Sequence, residues 1–105
     1  MTVSYGYSMR FPGTREQISQ ACLEAVRQSG FKIRESDLAA GQISARARVN
    51  PRSWGENIQV YVDTEDRVDI TSKSRFPLTV ADWGKNRWNV ERIFTRLASL
   101  LGGDP

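Results

Sequence analysis

The chain has 105 residues, of which 39% are hydrophobic and 26% charged. These are ordinary globular values, and they exclude a disordered, collagenous or coiled-coil chain. The length makes one domain, residues 1–105, and no apolar run approaches the roughly 18 residues of a membrane span. The net charge of +3 is mild encouragement for an anionic partner and no more.

What is missing bounds the chemistry further. There is no histidine, which removes Cys/His zinc sites, Ser-His-Asp and Cys-His catalysis, and a histidine pH switch. Cys22 stands alone, so no internal disulfide can form and a reducing compartment is the simpler expectation. The start, MTVSYGYSMRF, lacks the basic and apolar regions of a signal peptide, and the cytoplasm is the expected location. The charge is unevenly spread. Residues 42–54 carry three arginines and no acid, whereas residues 63–69 carry four acids and one arginine.

In chain order, Val3, Tyr5, Tyr7, Met9 and Phe11 alternate with small or polar residues. A period of two predicts a half-buried strand, which Pro12-Gly13 stops. Thr14 followed by Gln17 has the form of a capping box. Ile18, Ala21, Cys22, Ala25 and Val26 then make a helical apolar stripe, and Gly30 is placed to end the helix in a left-handed conformation.

A second strand begins at Phe31 and Ile33 and runs into the turn-like Glu35-Ser36-Asp37. Ile43, Ala45, Ala47 and Val49 predict a third strand, and residues 50–55 a loop. Ile58, Val60 and Val62 predict a fourth strand, with a turn over residues 64–66. Val68 and Ile70 start a fifth, broken at Phe76-Pro77. Val90, Ile93, Phe94, Leu97, Leu100 and Leu101 predict a final helix. Its N-cap is Asp82, with Asn86 as the fallback. Trp83 extends the stripe, and Gly102-Gly103 ends it.

The order β-α-β-β-β-β-α predicts an α+β fold. Its antiparallel, twisted sheet has both helices packed on one face. The outline is similar to small helix-grip proteins, in which a curved sheet wraps a long C-terminal helix. Nine residues are expected in the core: Tyr7, Ile18, Cys22, Val26, Ile43, Val60, Ile70, Ile93 and Leu97.

Two segments concentrate unusual residues: Ser53-Trp54-Gly55-Glu56, and residues 82–89, Asp-Trp-Gly-Lys-Asn-Arg-Trp-Asn. On these the chain resembles an uncharacterised bacterial domain family. In that family a Ser-Trp-Gly-Glu turn precedes a strand and an Asp-Trp-Gly-Lys-Asn segment opens the last helix. The resemblance spans residues 41–101 and implies no activity.

For these segments plain packing is the stronger explanation. A tryptophan on a sheet-to-helix loop plugs the end of the core, and Glu56 and Asp82 cap backbone N–H groups. The functional alternative has the two segments converging at one end of the sheet. Trp54, Trp83 and Trp88 then frame a cleft whose polar groups are Glu56, Lys85 and Asn86, suited to a small amphiphilic ligand or a protein partner. Of the tryptophans, Trp88 is expected to be the more exposed.

The runner-up is nucleic-acid binding on the outer sheet face, through Arg46, Arg48, Tyr61, Lys73 and Arg75, with Tyr61 between two basic rows. Exposed arginines also simply keep a sheet soluble. Catalysis has less support. There is no phosphate-binding glycine loop, and Cys22 lies on an apolar stripe. Asp63, Glu65, Asp66 and Asp69 form a charged hairpin turn rather than a calcium loop. The expectation is a non-enzymatic binding or interaction module with no metal and no cofactor.

Overall fold

A computed structural model describes residues 4–47, 55–74 and 84–102. Its elements are β1 (Ser4–Arg10), α1 (Arg15–Gln28), β2 (Lys32–Asp37), β3 (Gln42–Arg46), β4 (Glu56–Val62), β5 (Arg67–Ser74) and α2 (Lys85–Leu101). This is the expected β-α-β-β-β-β-α order. The capping box of α1 is formed. The Thr14 hydroxyl accepts from the Gln17 N–H at 3.1 Å, and the Gln17 side chain accepts from the Thr14 N–H at 3.0 Å. Gly30 follows the helix with φ at +88°, a conformation that carries no steric cost without a Cβ.

The strands form one antiparallel sheet in the order β1-β5-β4-β3-β2. The last four strands are a meander, and β1 closes against β5, so β1 and β2 are the two edges. Both helices pack on one face. α1 covers β2, β3 and β4, α2 covers β5 and β1, and the helices touch each other. Between these layers lie Ile18, Cys22, Val26, Ile43, Val60, Ile70, Ile93 and Leu97, all buried as expected. Burial pushes the Cys22 thiol up to about 12, which makes it an inert core residue.

Four expectations need correction. Tyr7 is 55% exposed. It is on the core side of the sheet, directly opposite fully buried Ile70, but β1 is an edge strand and α2 leaves its margin open. Glu35, Ser36 and Asp37 belong to β2 rather than to a turn. On an edge, polar side chains cost a strand nothing, and the reversal comes at residues 38–41. There the Asp37 carboxylate accepts the Ala40 N–H at 3.1 Å. Leu100 is 42% exposed. It has the helical phase of buried Ile93, seven residues earlier, but stands in the last turn of α2.

The fourth correction concerns the start of α2. Its N-cap position is Gly84, at φ +74°. Asn86, the fallback cap, is the second residue of the helix and points inward. Asp82 lies outside the described residues, as do Trp83, Phe76 and Leu78.

Gly41 is the glycine the fold cannot replace. Its φ is +69°, and a Cβ there would meet the Val62 carbonyl oxygen at 2.3 Å. The close approach serves a hydrogen bond, Val62 N–H to Gly41 carbonyl, of 2.7 Å. Arg15 braces the same corner from α1, donating from Nε to the Val62 carbonyl at 2.9 Å and from Nη2 to the Ala40 carbonyl at 2.6 Å. The β4–β5 turn is held by Asp63, whose carboxylate accepts the N–H groups of Arg67 and Glu65. The bond from Arg67 above all holds the Asp63 pKa below its ordinary value. This contribution to the turn is present above the ordinary aspartate pKa and is lost as pH falls through the folded one.

Candidate functional site

The described parts of the two segments, residues 55–56 and 84–89, lie at one end of the sheet. Glu56 opens β4 and pairs with Ser74 at the end of β5. The first turns of α2 lie over them with Asn86 and Asn89. Glu56, Ser72, Asn86 and Asn89 are each no more than 1% exposed, and Ser74 is 8% exposed. Asn89 Nδ2 donates to the Glu56 carboxylate at 2.7 Å and to the Ser72 hydroxyl at 3.1 Å. The Ser72 hydroxyl donates to Asn86 Oδ1 at 2.8 Å, and Asn86 Nδ2 donates to Ser74 Oγ at 3.1 Å. Asn89 Oδ1 is buried and accepts no hydrogen bond among the described residues.

Such a network joins two strands to the helix start. A buried carboxylate is tolerable only with donors of this kind. Glu56 and Asn86, expected as polar groups of an open cleft, are therefore interior residues. Lys85 and Trp88 point the other way. Trp54 and Trp83 lie outside the described residues.

Trp88 is 45% exposed. It stands five residues, about 500°, before buried Ile93, which turns it away from the core. Lys85 Nζ sits 4.2 Å and Arg92 Cζ 4.8 Å from its ring centroid. Such surface cation–π contacts are worth about 0.5–1 kcal/mol each. Replacing Trp88 with alanine is therefore expected to lower unfolding free energy by no more than about 1–2 kcal/mol in urea titration. A loss matching a large core truncation would make Trp88 a packing residue.

The outer sheet face does not assemble the expected aromatic–basic platform. Across the sheet, Tyr61 faces Gln42 on β3 and Asp69 on β5. Arg46 and Lys73 share a different row with Asn57 between them, four residues or about 13 Å along the strand. Among the described residues the guanidinium over Tyr61 is that of Arg15, 5.9 Å from the ring centroid. Arg48 and Arg75 lie outside the described residues.

Trp88 lines an open depression of about 530 Å³ with Gln28, Arg92 and Arg96, and a more apolar groove lies elsewhere. A groove of about 390 Å³ runs between β1 and α2. Its walls are Tyr5, Tyr7 and Met9 from the strand and Val90, Phe94 and Ala98 from the helix. The Tyr7 ring meets Phe94 edge-on at 5.9 Å, and Phe11 stacks on Phe94 at 6.2 Å. One rim is polar. Arg87 Nε donates to Glu91 at 2.6 Å, and the Arg87 guanidinium lies 6.0 Å from the Tyr5 ring. The Glu91 hydrogen bond pushes the Arg87 pKa up.

The sequence reading passed over this site because Tyr7 has the parity of a core residue. The available signal was three large side chains, Tyr5, Tyr7 and Met9, on a strand that begins the chain. Among the described residues no group of His, Cys, Asp and Glu could hold a metal ion, and no helix is long and apolar enough to cross a membrane.

No family model matches the sequence, and no curated protein matches it. Solved structures share its fold. The chain is similar to Ara h 8.0201 with a TM-score of 0.61 at 8% identity, covering 94% of this chain and 99% of that one. It is also similar to the Zhui aromatase/cyclase from Streptomyces sp. R1128 with a TM-score of 0.55 at 10% identity, covering 95% of this chain and 88% of that one. At such identities the likeness is one of fold, and the expected helix-grip outline is the fold of this chain.

Proposed function

We propose that the protein is a non-enzymatic binding module that takes a small amphiphilic ligand in the groove between β1 and α2. One observation carries this: Tyr7, on the core side of the sheet, is 55% exposed. A groove of about 390 Å³ is within the size range of small-molecule sites, which are mostly apolar with a few placed polar groups. The aromatic walls would take the apolar part of the ligand, and Arg87 at the rim an anionic or hydrogen-bonding head. On this reading the ligand sits at the open margin of the sheet rather than at the tryptophan segments. The ligand class, small and amphiphilic, is unchanged.

The test uses 8-anilinonaphthalene-1-sulfonate, a fluorescent amphiphile with an anionic head. The folded protein is expected to bind it with saturable fluorescence enhancement. Thr95 is exposed and lines the groove, so Thr95→Trp lays a ring across the opening without touching the core. That variant should bind at least about tenfold more weakly, a change of roughly 1.4 kcal/mol, with unaltered circular dichroism. Equal affinity in the two proteins, or no saturable binding by the parent, would remove the groove from consideration.

A further inference from the structure

The two edges of the sheet are treated differently by the sequence. An unpaired edge is a template for another strand, and proteins blunt it with charges, bulges or proline. β2 is blunted: Lys32, Arg34, Glu35 and Asp37 make four of its six residues charged, and its register shifts between Ile33 and Glu35. β1 has none of this. Its seven residues, Ser-Tyr-Gly-Tyr-Ser-Met-Arg, contain a single charge at the very end. Its pairing with β5 is regular throughout, it contains no proline, and among the described residues it pairs with no strand on its other side.

We propose that β1 pairs with β1 of a second copy of the chain, antiparallel about a two-fold axis at Tyr7, joining two five-stranded sheets into one. The occupant follows from the strand itself. The register centred on Tyr7 is the one that pairs all seven residues. It sets Tyr7 opposite Tyr7, Tyr5 opposite Met9, Gly6 opposite Ser8, and Ser4 opposite Arg10. No like charges meet. The aromatic–aromatic and aromatic–sulfur pairs are of the kind that stabilises neighbouring strands. A two-fold contact must be self-complementary in this way.

Tyr5, Tyr7 and Met9 lie on the core side, opposite Ser72, Ile70 and Val68. In the pair their side chains therefore form one row along the two grooves. The pairing is a property of the strand edge and does not depend on a ligand occupying the groove.

Cysteine cross-linking tests both pairing and register. Directly opposed residues on antiparallel strands have Cα atoms about 4.5–5.5 Å apart, within the roughly 4.4–6.8 Å that a disulfide spans. Cys22 is buried and does not compete. The parent is expected to sediment as a dimer. Tyr7→Cys should cross-link to a covalent dimer under mild oxidation, and Tyr5→Cys alone should not, because its opposite residue is Met9. The double variant Tyr5→Cys/Met9→Cys should cross-link again, which keeps the test decisive if Tyr7→Cys does not fold.

A monomeric parent overturns the proposal. So does a dimer in which neither Tyr7→Cys nor the double variant cross-links, or in which Tyr5→Cys alone cross-links as well as Tyr7→Cys. Dye binding by the parent is a separate readout, so the ligand reading and the pairing can fail independently.

Discussion

Ile93→Ala is expected to lose about 2–5 kcal/mol of unfolding free energy, read from the urea midpoint with an unchanged slope. Ile93 is fully buried, in the middle of α2, with Val90 and Leu97 equally buried on the same helix stripe. Truncating it deletes the transfer energy of three carbons and leaves a void that packed neighbours fill only in part. A domain of this size is stable by roughly 5–15 kcal/mol in all, so the variant approaches the unfolding threshold at modest temperature. Arg92→Ala, one residue away and on the outer side, is the internal control and should stay within about 1 kcal/mol of the parent. Equal effects from the two would place the buried stripe of α2 on the wrong face.

Asn89→Ala is expected to cost about 2–4 kcal/mol, because it removes a donor from a buried carboxylate and from a buried hydroxyl together. The bonds lost are those to Glu56 at 2.7 Å and to Ser72 at 3.1 Å. Asn89→Asp is expected to be worse at neutral pH, since it sets a second carboxylate against Glu56. Urea midpoints of both variants at neutral pH check this. An Asn89→Asp variant no less stable than Asn89→Ala would mean that Glu56 and position 89 do not face each other.

Much of this architecture is written in the period of the apolar residues. The capping box at Thr14 and Gln17, the four-strand meander and the buried stripes of both helices follow from local chemistry alone. The polar network is also legible, although Glu56 and Asn86 are expected from the sequence as groups of a cleft. Glu56 has the parity of Ile58, Val60 and Val62, all facing inward. Ser72 and Ser74 continue the inward parity of Val68 and Ile70. Asn86 and Asn89 fall in the helical phase of Val90 and Ile93. Five polar residues at inward positions, all at one end of the sheet, describe a buried hydrogen-bonded cluster. Reading Glu56 and Asn86 as cleft groups came from their neighbours in the chain, Trp54 and Lys85, rather than from their parity.

The sequence by itself determined the elements, the faces they bury and the order of the layers, because backbone periodicity of two or 3.6 residues converts directly into a buried side. It could not determine how far each buried side is covered. Tyr7 and Val60 have the same alternation around them, yet Val60 lies on a central strand beneath the helices and Tyr7 on an edge. The difference arises because β1 pairs with β5 from 60 residues away, a closure that no local pattern encodes. The groove, the exposed tyrosine and the unguarded strand edge all follow from that pairing. They exist only in the tertiary structure, because an edge is a property of the whole sheet and not of any one strand.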